Sequence, residues 1–209
     1  MIATKADTLT FETYVSNIIL RYGQANTEQK IAGERWYVTA NQLAYMISGG
    51  DVVKGAGVLA ALSANKSSTE NVKLARRAFE KGAPSGHTRV QLEKARKIME
   101  GEFSNSPLDV LGNGEKTRNF FECIVNPKHE TAVCIDRHAH DIAVGEIYGN
   151  DDRGLSAKGR YELLARAYRE AARRLGTNPA TVQAVTWVVQ VENYSQWNAR
   201  KSSAGNAER

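Results

Sequence analysis

Apolar residues recur along most of the chain at three- and four-residue steps, with polar residues filling the gaps, which is the spacing that turns one face of an α-helix toward a core. Phe11, Tyr14, Val15, Ile18, Ile19 and Tyr22 trace such a face, and Gly23 stands where the helix would stop, predicting a helix over residues 10–22. A second periodic stretch runs through Ile31, Tyr37, Ala40, Leu43, Ala44 and Ile47 and breaks at Gly49-Gly50, a pair read here as a boundary between lobes. Val52 to Leu62 is apolar or small at nearly every position, as expected of a buried helix, and it gives way to the polar loop Ser63-Ala64-Asn65-Lys66-Ser67-Ser68.

Start and stop signals divide the remainder. Ser67 with Glu70, and Thr88 with Gln91, have capping-box spacing and open helices that run to about Lys81 and Glu100. Ser106-Pro107 reads as an N-cap followed by proline at the first helical position, beginning a short helix that ends at Gly112. A helix follows Gly114 to about Val125, the loop from Asn126 to Thr131 leads into Ala132-Val133-Cys134-Ile135, and another helix follows Asp136. Tyr161, Leu164, Tyr168, Ala171 and Leu175 mark one face of a long helix stopped by Gly176; Asn178-Pro179 caps the next, which carries Val182, Val185, Trp187 and Val188. No useful strand alternation and no solenoid repeat is present. The prediction is an all-α protein of two helical lobes, one over 51–131 and one built from 1–50 with 132–200, followed by a disordered tail over 201–209.

Composition narrows this picture. With 42% apolar residues in 209, the chain can bury one substantial core or two small helical ones. The 28 basic and 23 acidic side chains leave +5, which favours a polyanionic partner without requiring one. Cys123 and Cys134 are the only cysteines, too few for a disulfide framework, a four-cysteine zinc site or a cluster on four thiolates, and they fit a reducing compartment. The opening MIATKADTLTFETY lacks the layout of a secretory signal, and no apolar run approaches the ~20 residues of a membrane helix. A cytoplasmic, monomeric protein without a membrane partner or cofactor is therefore expected. His138 and His140 stand two apart, so a helix points them in different directions and no metal site is expected there. Arg160, Arg166, Arg169, Arg173 and Arg174 read as a solvated basic face ahead of a phosphate-facing stripe.

The most informative stretch is Leu111-Gly112-Asn113-Gly114-Glu115-Lys116-Thr117-Arg118-Asn119, in which a short helix, a Gly-x-Gly turn and a second helix follow directly. Glycine permits the close approach and backbone conformations that leave turn and helix-start N–H groups available to a phosphate. Three further segments accompany it: Leu62-Ser63-Ala64-Asn65 with Asn71 and Ala75 downstream, Lys94-Ala95 with Ile98, and Ile135-Asp136-Arg137-His138. In this order the four resemble the helix-hairpin-helix DNA glycosylase superfamily typified by endonuclease III, over about residues 55–145. The four-cysteine iron–sulfur motif of many relatives is absent, Leu111 and Asn113 replace the usual proline and valine of the hairpin, and Asp141 brings negative charge to a helix that is more often basic.

The resemblance implies roles. Lys116 falls on the family's Schiff-base lysine and Asp136 on its catalytic aspartate; Gly112, Asn113, Gly114, Thr117, Arg118 and His138 fall among its DNA-contacting positions, and Asn65 on the loop that fills the gap left by a flipped base. Breaking a base–sugar bond develops positive charge on the sugar, which a carboxylate stabilises, and an amine can attack the same carbon. The base must leave the stack to be reached, so the implied partner is duplex DNA with a flipped base. Simpler roles stay open at this point: Lys116 as a phosphate contact, Asp136 as a helix cap, Asn65 as a polar loop residue. Two other functions also stay open, a phage-type transferase that moves an amine onto an activated thymine, and a DNA-binding module without catalysis.

Overall fold

The computed structural model describes residues 9–148 and 153–207, so the opening segment inspected for a targeting signal lies, through residue 8, outside the described residues. The described chain is all-α, with ten helices and no strand: α1 (Phe11–Gly23), α2 (Thr27–Ile47), α3 (Val52–Ala61), α4 (Ser68–Lys81), α5 (Arg89–Glu100), α6 (Leu108–Leu111), α7 (Glu115–Val125), α8 (Arg137–Val144), α9 (Arg160–Leu175) and α10 (Pro179–Ala207). Two compact units form, Trp36–Cys134 and Met1–Arg35 with Ile135–Arg209. The first division falls inside α2 and not at Gly49-Gly50. The two glycines, both at positive φ, only end the helix, while its second half has already joined the unit that follows: Tyr37 and Ala44 are buried and Asn41 Nδ2 donates to the Ile124 and Val125 carbonyls at the end of α7, at 2.8 and 3.1 Å.

In the unit of residues 36–134, α3 is the central element, packed by α4, α5, α6 and α7. Its run from Gly55 to Ala61 is buried throughout, which is why its sequence carries no polar face. Close approach is built in at Gly55, where a Cβ would stand 2.1 Å from the Ala44 carbonyl oxygen. Leu74, Ala75, Ala78, Ala95, Ile98, Leu111, Phe121 and Ile124 complete the core.

In the other unit, α1 packs against α8, α9 and α10, and α10 against α8 and α9. Tyr14, Val15, Ile18, Leu164, Tyr168, Ala171, Val182 and Val185 are all buried in this unit, an interior of mostly small and branched side chains. Every residue of α8 from His138 to Val144 is buried.

Several start signals work as the sequence implies. Ser67 Oγ accepts from Glu70 N at 3.2 Å, and Asn178 Oδ1 accepts from Thr181 N at 2.9 Å. The Thr88–Gln91 box does not form: Thr88 has extended backbone at the start of α5 but makes no side-chain cap, and its own N–H donates to His87 Nδ1 at 2.7 Å. Ser106 Oγ accepts from Leu108 N at 3.1 Å, with Pro107 immediately before α6. The segment expected to be a disordered tail continues α10 as far as Ala207; no proline after Pro179 interrupts it. Among the described residues, no helix is long and apolar enough to cross a membrane.

Candidate functional site

The hairpin joins α6 to α7 through Gly112, Asn113 and Gly114. Gly112 has φ +82°, a conformation that L side chains rarely adopt, whereas Gly114 has φ −67° and open space where a Cβ would stand, its nearest neighbour being Thr117 Oγ1 at 3.9 Å. Only the first glycine is required by the turn itself. The first α7 bond runs from Arg118 N to Gly114 O at 3.1 Å, and Gly114 supplies no capping side chain, so the N–H groups of Glu115, Lys116 and Thr117 have no intrahelical partner. Asn113, Gly114, Glu115 and Lys116 are exposed and Thr117 is half-buried. This end of α7 therefore presents backbone donors, the positive end of a helix dipole and an exposed lysine on one surface.

Arg118 turns the other way. Its Nη1 donates to the Leu108 and Gly112 carbonyls at 3.1 and 3.2 Å, while Lys94 Nζ of α5 donates to the Leu111 carbonyl at 2.7 Å. Asn119 ties the hairpin to the segment after α7: its Oδ1 accepts from Val133 N at 3.2 Å, and its Nδ2 donates to the Glu115 carbonyl at 2.9 Å. The Cys134 thiol donates to the Lys116 carbonyl at 3.8 Å.

Asn65 lies at the tip of the α3–α4 loop with an exposed side chain, and it is the one non-glycine residue at positive φ (+56°) among the described residues. Asparagine tolerates this region better than most side chains. The loop is held on both flanks: Ser63 Oγ donates to the Ala60 carbonyl at 2.8 Å, and Lys66 pairs with Glu70 at 2.6 Å. His87 contributes from the α4–α5 connection. Its Nδ1 accepts from Thr88 N, which leaves Nε2 as the donor to the Ala64 carbonyl at 3.0 Å. Sequence reasoning misses His87, because its partner is a backbone atom 23 residues away and no side-chain pattern reports it.

Asp136 opens α8 in the other unit. Its Oδ1 accepts from Ala139 N at 2.8 Å, so the residue is a helix cap, and among the described residues Oδ2 takes part in no hydrogen bond. Two tyrosines of α9 fix this end of α8: the Tyr161 hydroxyl accepts from Ile135 N at 3.0 Å and the Tyr168 hydroxyl donates to the Ala139 carbonyl at 3.2 Å. Burial raises the Tyr168 phenol well above its ordinary value, keeping it a neutral donor.

His138 is buried with its ring edge-on to Trp187 at 6.3 Å, so the side chain faces the protein interior and not the surface. Burial pushes its imidazole below the ordinary value, against the upward pull of Asp136 and Asp141. Asp141, also buried, accepts from His140 Nδ1 at 3.0 Å and from Arg153 Nε and Nη2 at 2.7 and 2.8 Å. Burial works against its charge, but the His140 and Arg153 hydrogen bonds and the Arg153 charge outweigh it and hold the carboxyl below the usual range. Among the described residues the buried His140 Nε2 has no hydrogen-bond partner; the ring lies edge-on to Tyr148 at 5.0 Å between ring centres.

Asn65, Gly112, Asn113, Gly114, Lys116, Thr117 and Arg118 thus belong to the unit of residues 36–134, and Asp136 and His138 to the other. Among the described residues no group of three His, Cys, Asp or Glu side chains could hold a metal ion. Four arginines of α9 have partners on the protein's own surface: Arg169 pairs with Glu162, Arg173 with Glu170, Arg174 with Glu170 and Glu12, and Arg166 lies over the Phe11 ring.

A family model matches residues 1–195. The chain belongs to that family, described as a family of unknown function, DUF7178. No curated protein and no solved structure matches the chain. The DUF7178 match extends across segments of both units, so Lys116 and Asp136 both lie within it.

Proposed function

We propose that this DUF7178 protein is a DNA glycosylase acting on a damaged or modified base in duplex DNA, with Lys116 as the nucleophile of an associated lyase step. The observation that carries the reading is the start of α7: an uncapped helix end behind a Gly112 turn, with Lys116 exposed in its first turn. A phosphate would be met by the backbone donors, and the lysine would lie beside the sugar of the bound nucleotide. Asp136 supports the same chemistry. By the resemblance, Asp136 would offer a charge to the cationic sugar, and its carboxylate, held by its own helix, would need little reorganisation during the step.

In the proposed reaction the Lys116 amine attacks the sugar C1′, the bond to the base breaks, and the base leaves with its electron pair and gains a proton. The nitrogen loses its two protons, one balancing that gained by the base and one going to the ring oxygen as the sugar ring opens, which leaves an imine between Lys116 and the sugar. Asn65 would occupy the space vacated by the flipped nucleotide. A second reading is favoured by a specific observation: Asp136 already caps α8, a complete structural role that a non-catalytic DNA-binding module would also need.

The test is borohydride trapping on a panel of duplexes carrying modified bases, with free base, abasic sites and strand breaks measured separately. Glycosylase with lyase activity predicts a covalent protein–DNA adduct with a suitable duplex and none with Lys116→Ala, which keeps at most slow base release. Salt-sensitive DNA binding without adduct, base release or strand break across the panel would establish the binding-module reading instead. A mass gain on DNA that depends on an added amine donor would point to a base-modifying transferase and overturn the glycosylase.

A further inference from the structure

Arg118 and Lys94 are cations beside the proposed DNA-contacting hairpin, and a reading from charge alone would give both to phosphates. Their hydrogen bonds point elsewhere. The α6 helix has four residues, too few to be stable on its own, and its last carbonyls lack helical partners. Lys94 Nζ reaches the Leu111 carbonyl from α5, and Arg118 Nη1 reaches the Leu108 and Gly112 carbonyls from α7, so the turn is clamped from the helix before it and the helix after it. Both side chains are half-buried, whereas Asn113, Gly114, Glu115 and Lys116 on the far side of the turn are exposed. Gly112 is the point of leverage. Its positive φ sets the direction in which Gly114 and the first turn of α7 leave, and the carbonyls on either side of it, those of Leu111 and Gly112 itself, are the ones held.

We infer that Arg118 and Lys94 are positioning residues, which preorganise the phosphate-facing edge of the hairpin from behind and make no phosphate contact themselves. The inference rests on the DNA-binding reading above. It is strongest at Arg118, where the guanidinium satisfies two carbonyls that an aliphatic side chain at that position would leave to solvent.

A positioning residue and a phosphate contact differ in their salt dependence. Each phosphate neutralised by a protein cation contributes roughly 0.9 to the slope of log affinity against log salt, through release of counterions. Removing a brace lowers affinity while leaving that count alone. The experiment measures binding of the full chain to a labelled duplex by fluorescence anisotropy, between about 50 and 200 mM salt, for wild type, Arg118→Ala, Arg118→Lys and Lys94→Met. Circular dichroism at the assay temperature confirms that each variant is folded.

Arg118→Ala is expected to bind about tenfold more weakly at every salt concentration, with a slope equal to wild type. Arg118→Lys, able to reach one carbonyl in place of two, should fall between. If Arg118→Ala does not fold, Lys94→Met carries the same comparison. A slope reduced by about one contact, or an unchanged affinity, overturns the inference while leaving DNA binding intact. Wild type that fails to bind duplex DNA at any salt overturns the DNA reading, and this inference with it.

Discussion

The two ends that carry the candidate chemistry are built in opposite ways. The start of α7 is exposed and uncapped, and its neighbouring cations Arg118 and Lys94 are spent on carbonyls of the turn. The start of α8 is capped by Asp136, gripped by Tyr161 and Tyr168, and followed by a buried histidine, a second histidine and an ion-paired aspartate. One end leaves its backbone donors unpaired, as an anion-binding surface requires; the other satisfies nearly everything around a single carboxylate, as a fixed charge requires. A helix terminus thus becomes an open site or a rigid mount according to what its neighbours leave unsatisfied.

The sharpest way to break the comparison is Asp136→Asn. Asparagine caps as well as aspartate, so α8 should keep its stability, while loss of the charge should cut base release by about 10²–10³-fold or more. Product assay and thermal unfolding on the same sample check both halves; normal turnover would leave Asp136 with the cap alone. Next in size is Arg153→Ala, which strands the buried Asp141 carboxylate and should destabilise the protein by about 3 kcal/mol, read by denaturant unfolding. No comparable loss is expected from Lys116→Ala, whose side chain is exposed.

Within the hairpin, Gly112→Ala should cost about 1–2 kcal/mol of stability because of its positive φ, and it should weaken DNA binding to all sequences alike. Gly114→Ala, with negative φ and open space, should be close to neutral by the same measurement. The smallest effect concerns pH. The folded-state value of His138 is depressed, so its contribution is present above the unfolded value of about 6.5 and is lost as pH falls through the folded value. Stability should therefore decline as the medium is acidified below that point, and His138→Gln should flatten the decline in a series of unfolding curves.

Much of the fold is legible because helix periodicity is a local property. The buried face of α9 follows from Tyr161, Leu164, Tyr168 and Ala171, the buried run of α3 from the small and apolar residues between Gly55 and Ala61, and the α4 start from Ser67 and Glu70. The site is legible only in part. The Gly-x-Gly turn identifies the hairpin, but nothing in the spacing separates Gly112, which needs its positive φ, from Gly114, which does not. His87 escapes because it serves a backbone carbonyl, and Arg118 reads as a surface cation because its two acceptors carry no side-chain signature.

Local pattern was enough for the helices, their buried stripes, the Gly112–Gly114 turn, and the residue types available for chemistry. These follow from propensities and periodicities acting over a few residues, which survive without knowledge of the partners. Tertiary structure alone decided that α2 would be divided between two units, that His138 would turn inward against Trp187, and that Arg118 would face the carbonyls of its own hairpin. The reason is common to all three. A side chain's direction and a helix's allegiance depend on which unsatisfied groups and apolar surfaces lie opposite, and those are supplied by residues brought near only when the chain has packed.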